Sequence, residues 1–533
     1  MARLNKKQTF LGGAAVLAMA TAIVKIIGAL YKIPLKHLIG NEGFGYFNTA
    51  YDIYSVLLMI STTGLPVAMS RMISEAKTLG QTRQIKRIFQ TSLFVFLTIG
   101  VIGSTGMMLL CKQLAGMMSQ EQSWFAILCL SPAVLFICLI SAERGFFQGQ
   151  ANMVPTSLSQ ILEALCKLVI GLGAAYLIQQ STGSVVYASG GAILGVTAGT
   201  VASTVFLALR RRGASRELDE ECPDPTVYSH RSTAKKLLSI AIPITIGAAG
   251  LQFITLVDAA VYMARLKGAA GMEAQADNLK GIYNFCQTIF NLPCAFITPL
   301  TVSVIPALTE QLTLRRPRRA NTVSESATRV MSLIAMPCAI GLIVLAGPIL
   351  KLLGSYETEE LAVGVKLLSI LGVCVFFNCF VLLMNAMMQA HGYVYIPVMN
   401  MIIGGIAKII VNYVLVGNPS IHIVGAPIGT LVCYVIIAGL DYFAIRRVLR
   451  HPPKLLQNLV KPAVASLLMG GAALAVRRLL EGRASATAMI LILSIGTAGL
   501  VYIVLVLGLR VITADDCRLL PKGDKIAKLL RIR

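Results

Sequence analysis

Charge is scarce in this sequence. Asp, Glu, Lys and Arg make up 13% of its 533 residues, about half the share a soluble globular chain carries. Its five histidines are scattered, and none of its twelve cysteines forms a C-x-x-C pair. That leaves no spacing suited to a metal site or a disulfide framework, so the cysteines read as small hydrophobes. The dipeptide Gly-Lys does not occur, which excludes a Walker A phosphate loop. No G-x-S-x-G, H-E-x-x-H or acidic metal cluster is found, so nothing points to an enzyme. The longest polar stretch, 210–236, is too short to bury a core of its own. Basic runs interleaved with base-stacking aromatics are also lacking, which removes the case for a nucleic-acid partner.

Apolar sequence fills the space. Hydrophobic residues reach 56% and mean hydropathy is +0.75. Runs of twenty or so apolar residues, each long enough to cross a hydrocarbon core of roughly 30 Å, lie near 10–37, 45–72, 88–111, 123–148, 154–179, 185–210, 237–265, 279–307, 326–350, 362–390, 394–417, 421–446, 457–478 and 487–511. The predicted fold class is an all-α membrane protein of about fourteen transmembrane helices. The first run outlasts a signal-peptide core and carries Lys25, so it is read as a retained span.

The net charge is +23, and its placement sets orientation. Basic residues gather in alternate loops: Arg3, Lys6 and Lys7; Lys77, Arg83, Lys86 and Arg87; Arg210 to Lys236; Arg315, Arg316, Arg318 and Arg319; Arg446 to Lys454; and Lys522 to Arg533. The opposite loops are short or acidic, Arg477, Arg478 and Arg483 excepted. The positive-inside bias then puts both termini of a multi-pass membrane protein in the cytoplasm, which requires an even number of spans.

A repeat runs through the chain. Gly45-Tyr46-Phe47-Asn48 and Glu75 match Gly281-Ile282-Tyr283-Asn284 and Glu310, and Gln148, Pro155 and Lys167 match Gln389, Pro397 and Lys408. Offsets of about 235–241 separate the pairs, which predicts two parallel six-helix repeats plus two C-terminal helices. The domains expected are a first lobe at 1–210, a cytoplasmic linker at 211–236, a second lobe at 237–450, and two extra helices with a basic tail at 451–533.

Ionisable residues inside the spans cost about 2.5–3.5 kcal/mol each on insertion scales, so they should face protein or a water-filled cavity. Lys25, Lys32 and Lys36 fall seven and four apart on one helical face. Lys25 lies mid-span, whereas Lys36 is expected to snorkel to the interface. Asp52 would neutralise one of these lysines or couple to a cation. Arg144 is expected near the cytoplasmic end of its span. Glu163 and Lys167, four apart, suit an internal salt bridge. Asp258 and Lys408 belong to the poorer second copy. Lys25, Lys32, Arg144 and Lys167 together suggest a substrate-binding cavity for phosphate or pyrophosphate. Asp52, Glu163, Asp258 and Lys408 are coupling or charge-pair candidates, with a sodium ion or proton as the coupling ion and no other cofactor.

Several stretches carry a family resemblance: Lys25-Ile26-Ile27-Gly28, Gly40-Asn41-Glu42-Gly43, Gly64-Leu65-Pro66-Val67-Ala68-Met69-Ser70, and Arg144-Gly145-Phe146-Phe147-Gln148-Gly149 with Asn152-Met153-Val154-Pro155. The chain resembles the multidrug/oligosaccharidyl-lipid/polysaccharide exporter superfamily, in particular the branch holding stage V sporulation protein B and the lipid II flippases. The resemblance implies alternating access and transport of undecaprenyl-pyrophosphate-linked saccharides. It also implies a first-lobe basic cavity with a residue matched by Lys25; a second basic position of that cavity meets only apolar residues near Leu57. The expected partners are a lipid-linked oligosaccharide, membrane lipid and cell-wall synthesis proteins. Two rival readings stand beside it: a cation-coupled multidrug antiporter led by Asp52 and Asp258, and a non-transporting membrane scaffold for sporulation or cell-wall assembly.

Overall fold

The computed structural model describes residues 10–219, 228–448, 452–481, 487–509 and 511. Arg3, Lys6, Lys7, Arg450, Arg483, the basic tail and part of the expected linker lie outside them. The described residues form α-helices and short connections, without a strand. In chain order the helices are α1 (Phe10–Met59), α2 (Leu65–Thr78), α3 (Thr82–Leu109), α4 (Cys111–Met117), α5 (Trp124–Gly149), α6 (Val154–Thr182), α7 (Val185–Asp219), α8 (His230–Lys267), α9 (Ala276–Thr313), α10 (Pro317–Val344), α11 (Ala346–Leu353), α12 (Thr358–Ala390), α13 (Tyr395–Val416), α14 (Gly425–Val448), α15 (Val460–Glu481) and α16 (Thr487–Gly508). Among the described residues, twelve helical stretches are long and apolar enough to cross a membrane. The protein is an all-α membrane protein.

One of those stretches, Met19–Thr78, is 60 residues long and is a hairpin. Gly40 breaks α1 with φ 64° and ψ −172°, a region open essentially to glycine alone. Lys32, before the break, donates to Asn48 Oδ1 beyond it at 3.4 Å, and the Tyr31 and Phe47 rings lie 6.0 Å apart. In an unbroken helix residues sixteen apart would be separated by about 24 Å. The two arms therefore fold back on each other, as the Gly40-Asn41-Glu42-Gly43 sequence between two apolar runs suggested. A π-turn, Ile60–Gly64, joins the second arm to α2.

The chain packs as two compact units, residues 1–267 with 273–281 and residues 268–272 with 282–533. In the first unit α6 lies against α7 and α1, and α5 against α7 and α3. Gly191, Gly195 and Gly199 form a four-residue-spaced stripe on α7. A Cβ at Gly199 would come within 2.7 Å of Glu163 O, and one at Gly195 within 3.0 Å of Lys167 O. Small residues at this spacing let membrane helices approach backbone to backbone. α8 packs on α1, α2 and α3, with Gln252 donating to Ser55 Oγ at 2.6 Å and Lys236 paired to Glu75 at 3.0 Å. The repeat in sequence had grouped this helix with the second lobe; by contact it belongs to the first unit. In the second unit Met469, Ala473 and Ala498 of α15 and α16 pack against Ile340 and Val344 of α10, and Tyr502 donates to Leu333 O at 2.9 Å.

The repeat is also written in the backbone. After α2, Gly80 N bonds Lys77 O and Gln81 N bonds Ala76 O; after α9, Arg315 N bonds Leu312 O and Arg316 N bonds Gln311 O. These turns lie 235 residues apart, with positive φ at Gly80 and Arg315. After α5, Ala151 N bonds Gln148 O and Asn152 N bonds Phe147 O; 241 residues on, Gly392 N bonds Gln389 O and Tyr393 N bonds Met388 O. Paired bonds of this kind cap helix ends where orphan carbonyls would otherwise be desolvated.

Substituting Gly40 with Val is expected to cost about 1–3 kcal/mol of stability and lower the thermal unfolding temperature in detergent. Gly28→Ala, on the same helix with open space around its Cα, should leave that temperature unchanged or raise it. Equal behaviour of the two variants would contradict the hairpin assignment.

Candidate functional site

Lys167 lies thirteen residues into the twenty-nine of α6, about 20 Å from either end. An ammonium group at such depth needs partners that replace water. It donates to Tyr51 Oη at 3.0 Å. Its charge also sits over three rings, 4.4 Å from the centroid of Tyr51, 5.1 Å from Tyr31 and 5.6 Å from Phe47. These rings come from both arms of α1, so the fold-back at Gly40 builds the aromatic cage. Tyr31 is tied in turn to α7 by its hydroxyl on Ala192 O at 3.1 Å.

Lys32 lies beside this cage. It donates to Asn48, stands 5.9 Å from the Phe44 ring centroid, and interacts electrostatically with Lys167 and Asp52. Two cations hydrogen-bonded to an amide and a phenol and set against ring faces form an anion-seeking pair, with Asp52 near Lys32 and Glu163 near Lys167 as counter-charges. Neutral partners of this kind can be exchanged for phosphate oxygens without leaving a carboxylate buried and unpaired.

Arg144 and Glu163 pair with each other. Arg144 Nη2 meets Glu163 Oε2 at 3.1 Å, and Arg144 Nε meets Ser159 Oγ at 3.1 Å. Sequence spacing had suggested Glu163 for Lys167. The planar guanidinium arriving from α5 bridges Glu163 and Ser159 together, and Lys167 turns to the rings of α1. Next to it, Glu143 holds Arg211 of α7 through both carboxylate oxygens at 3.0 Å.

The remaining expected residues are placed differently. Lys25 is exposed, at the far end of the lysine face from Lys36. Lys36 is 6% exposed, so it is a buried residue and not the interfacial one its position suggested. Asp258 is buried on α8, within the first unit. Lys408, on α13, belongs to the second unit and interacts electrostatically with Tyr434. Among the described residues no group of three His, Cys, Asp or Glu side chains is placed to hold a metal ion.

Sequence reasoning missed a second polar cluster at the start of α9. Lys280, fully buried, donates to Thr49 Oγ1. Thr49 donates to Gln120, and Gln120 Nε2 reaches Asp277 Oδ1 at 3.1 Å. Asp277 also accepts from Tyr46 at 3.3 Å and pairs with Lys267 at 3.2 Å. Lys280 in addition interacts electrostatically with Asp52. Asp277 and Lys280 stand three apart on a helix, and that spacing was the available signal.

All these residues of the first unit fall within one stretch, residues 10–312, matched by the family model for polysaccharide biosynthesis protein. The chain belongs to the polysaccharide biosynthesis protein family. A second model, MatE, matches residues 280–414, the stretch that contains Lys408. Of the relatives from Bacillus subtilis (strain 168), the membrane protein YabM is 26% identical over 98% of this chain and 96% of its own. Stage V sporulation protein B is 25% identical over 97% and 98%, and the lipid II flippase MurJ 23% identical over 92% and 94%. The fold of this family member is also that of the solved lipid II flippase MurJ in its inward closed conformation, with a TM-score of 0.68, 13% identity, and 92% and 97% of the two chains covered.

Arg144 and Glu163 offer a direct check of the geometry. In a double-mutant cycle with R144Q and E163Q, unfolding in mixed micelles should give a coupling of about 1.5–3 kcal/mol, the range for hydrogen bonds to charged groups. Additive effects would contradict the pairing.

Proposed function

We propose that this protein is a flippase that moves an undecaprenyl-pyrophosphate-linked saccharide, lipid II or a related cell-wall or polysaccharide precursor, across the bacterial cytoplasmic membrane by alternating access. The observation that carries this reading is the Lys32–Lys167 pair, with Lys167 at mid-span depth and the hydrogen bonds of both running to the neutral side chains Asn48 and Tyr51. A pyrophosphate brings charged acceptor oxygens that can replace those neutral ones. Family membership and the flippase and sporulation relatives support the cargo class.

The topology proposed is fourteen spans. Separating the two arms of the α1 hairpin and adding α9 to the other long apolar helices supports that number, and an even count places both termini in the cytoplasm. The lobes proposed are 1–210 and 237–450, joined by 211–236 and followed by 451–533; α8 opens the second repeat while packing with the first unit. Lys25, Lys32, Arg144 and Lys167 are the proposed substrate-side cations, Arg144 being braced by Glu163. Energy enters through a sodium ion or proton, with Asp52, Asp258 and Lys408 as coupling candidates, and the protein acts as a transporter without catalysis of its own.

The MatE match over 280–414 favours a second reading, a cation-coupled multidrug antiporter. It differs in the charge it needs: an organic cation calls for carboxylates and aromatics without competing ammonium groups.

In a strain depleted of its own lipid II flippase, the wild-type protein should restore surface accessibility of lipid II. K32Q and K167Q, expressed to the same level, should each lower that rescue at least tenfold, K25A should also impair it, and dye efflux should be absent. Full rescue by both K32Q and K167Q would sink the proposal; dye efflux that depends on Asp52 would favour the antiporter.

A further inference from the structure

Arg477 and Arg478 depart from the loop-charge pattern of the rest of the chain. In the second unit Arg477 lines a cleft of about 690 Å³ together with Lys351 and Lys366. Three cations from α11, α12 and α15 thus converge on one space. Glu357 is the carboxylate among the lining residues. Glu359 and Glu360 stand on the first turn of α12 but outside the lining. The lining therefore keeps a net positive charge.

The cleft has a defined depth. Arg477 Nη1 donates to Val344 O at 2.7 Å, one of the last carbonyls of α10, where a cation satisfies an orphan acceptor and the helix dipole together. α10 begins at Pro317, next to the Arg315, Arg316, Arg318 and Arg319 cluster. Its 28 residues carry the chain about 42 Å, so the cleft lies at the opposite membrane face from that cluster. One wall is apolar, formed by Leu361, Ala362 and Val365 of α12. A phosphate fits the cationic side, and an acyl or prenyl chain fits the wall beside it.

We propose that this cleft is a second binding site, for the phosphate headgroup of a membrane lipid, on the face opposite the basic loops. It is separate from the Lys32–Lys167 pair and does not depend on what that pair carries. It gives Arg477 a reason to break the charge pattern.

The test uses the full-length protein. Retention of phosphatidylglycerol against phosphatidylcholine is measured by native mass spectrometry after extraction from nanodiscs containing both. A cation that lines the cleft and meets the headgroup is worth about fivefold in affinity for anionic lipid, so K366Q should weaken phosphatidylglycerol retention about fivefold and K351Q/K366Q about 25-fold. Both lysines are exposed, so the unfolding temperatures of the lipid-free variants should match wild type. R478Q, one residue away and outside the lining, should retain the lipid as wild type does. A parallel arm titrates inorganic phosphate in detergent. If phosphate raises the unfolding temperature of wild type but not of K351Q/K366Q, with no lipid preference, the site stands and its ligand is the free anion. Unchanged retention in K351Q/K366Q with equal phosphate response, or an equal loss in R478Q, overturns the proposal.

Discussion

Placing an ammonium group halfway through a hydrocarbon layer is the constraint from which the rest of the first unit follows. Hydrocarbon cannot solvate Lys167, and the protein must supply partners for it. It does so with the Tyr51 hydroxyl and three ring faces. Those rings lie on two arms of one helix, so α1 has to reverse direction, and Gly40 provides the backbone geometry for that. The α6 backbone has to be held at a fixed distance, and the glycine stripe of α7 allows close approach at Glu163 and Lys167.

The same constraint separates the cations by role. Arg144 has a carboxylate at 3.1 Å; removing it would leave the half-buried Glu163 without its partner, which marks the pair as a brace. Lys167 and Lys32 hydrogen-bond to neutral side chains, and an incoming phosphate can replace those bonds without breaking an ion pair of the Arg144–Glu163 kind. A site of this design holds an anion transiently. That suits a protein that must release what it binds on the other side.

Much of the fold could be read from the chain because hydrophobic span length and loop charge act over long, regular stretches. The break at Gly40-Asn41-Glu42-Gly43 and the paired turns after Gln148 and Gln389 fell where the sequence put them, since glycine demand and helix termination are local. Partner choice was less legible. The four-residue spacing favoured Glu163 with Lys167, yet Arg144 arrives from α5, 19 residues away in sequence, and its fork suits the carboxylate better. Lys36 looked interfacial by position but is enclosed by packing that a single helix cannot reveal. Lys280 sat at the edge of an apolar run, where an interfacial lysine is ordinary, and its burial depends on Thr49, which is 231 residues distant. α8 carries the sequence marks of the second repeat, while its bonds to Ser55, Glu75, Thr91 and Gln84 tie it to the first unit.

The central claim is that Lys32 and Lys167 receive a pyrophosphate. It is tested most directly by an experimental structure of the protein in lipid nanodiscs with a bound undecaprenyl-pyrophosphate-linked saccharide. The expected result is phosphate oxygens within about 3 Å of both ammonium groups, with Tyr51 and Asn48 displaced from them and the Arg144–Glu163 pair intact. Pyrophosphate bound elsewhere, with the Lys167–Tyr51 bond unbroken, would contradict the account.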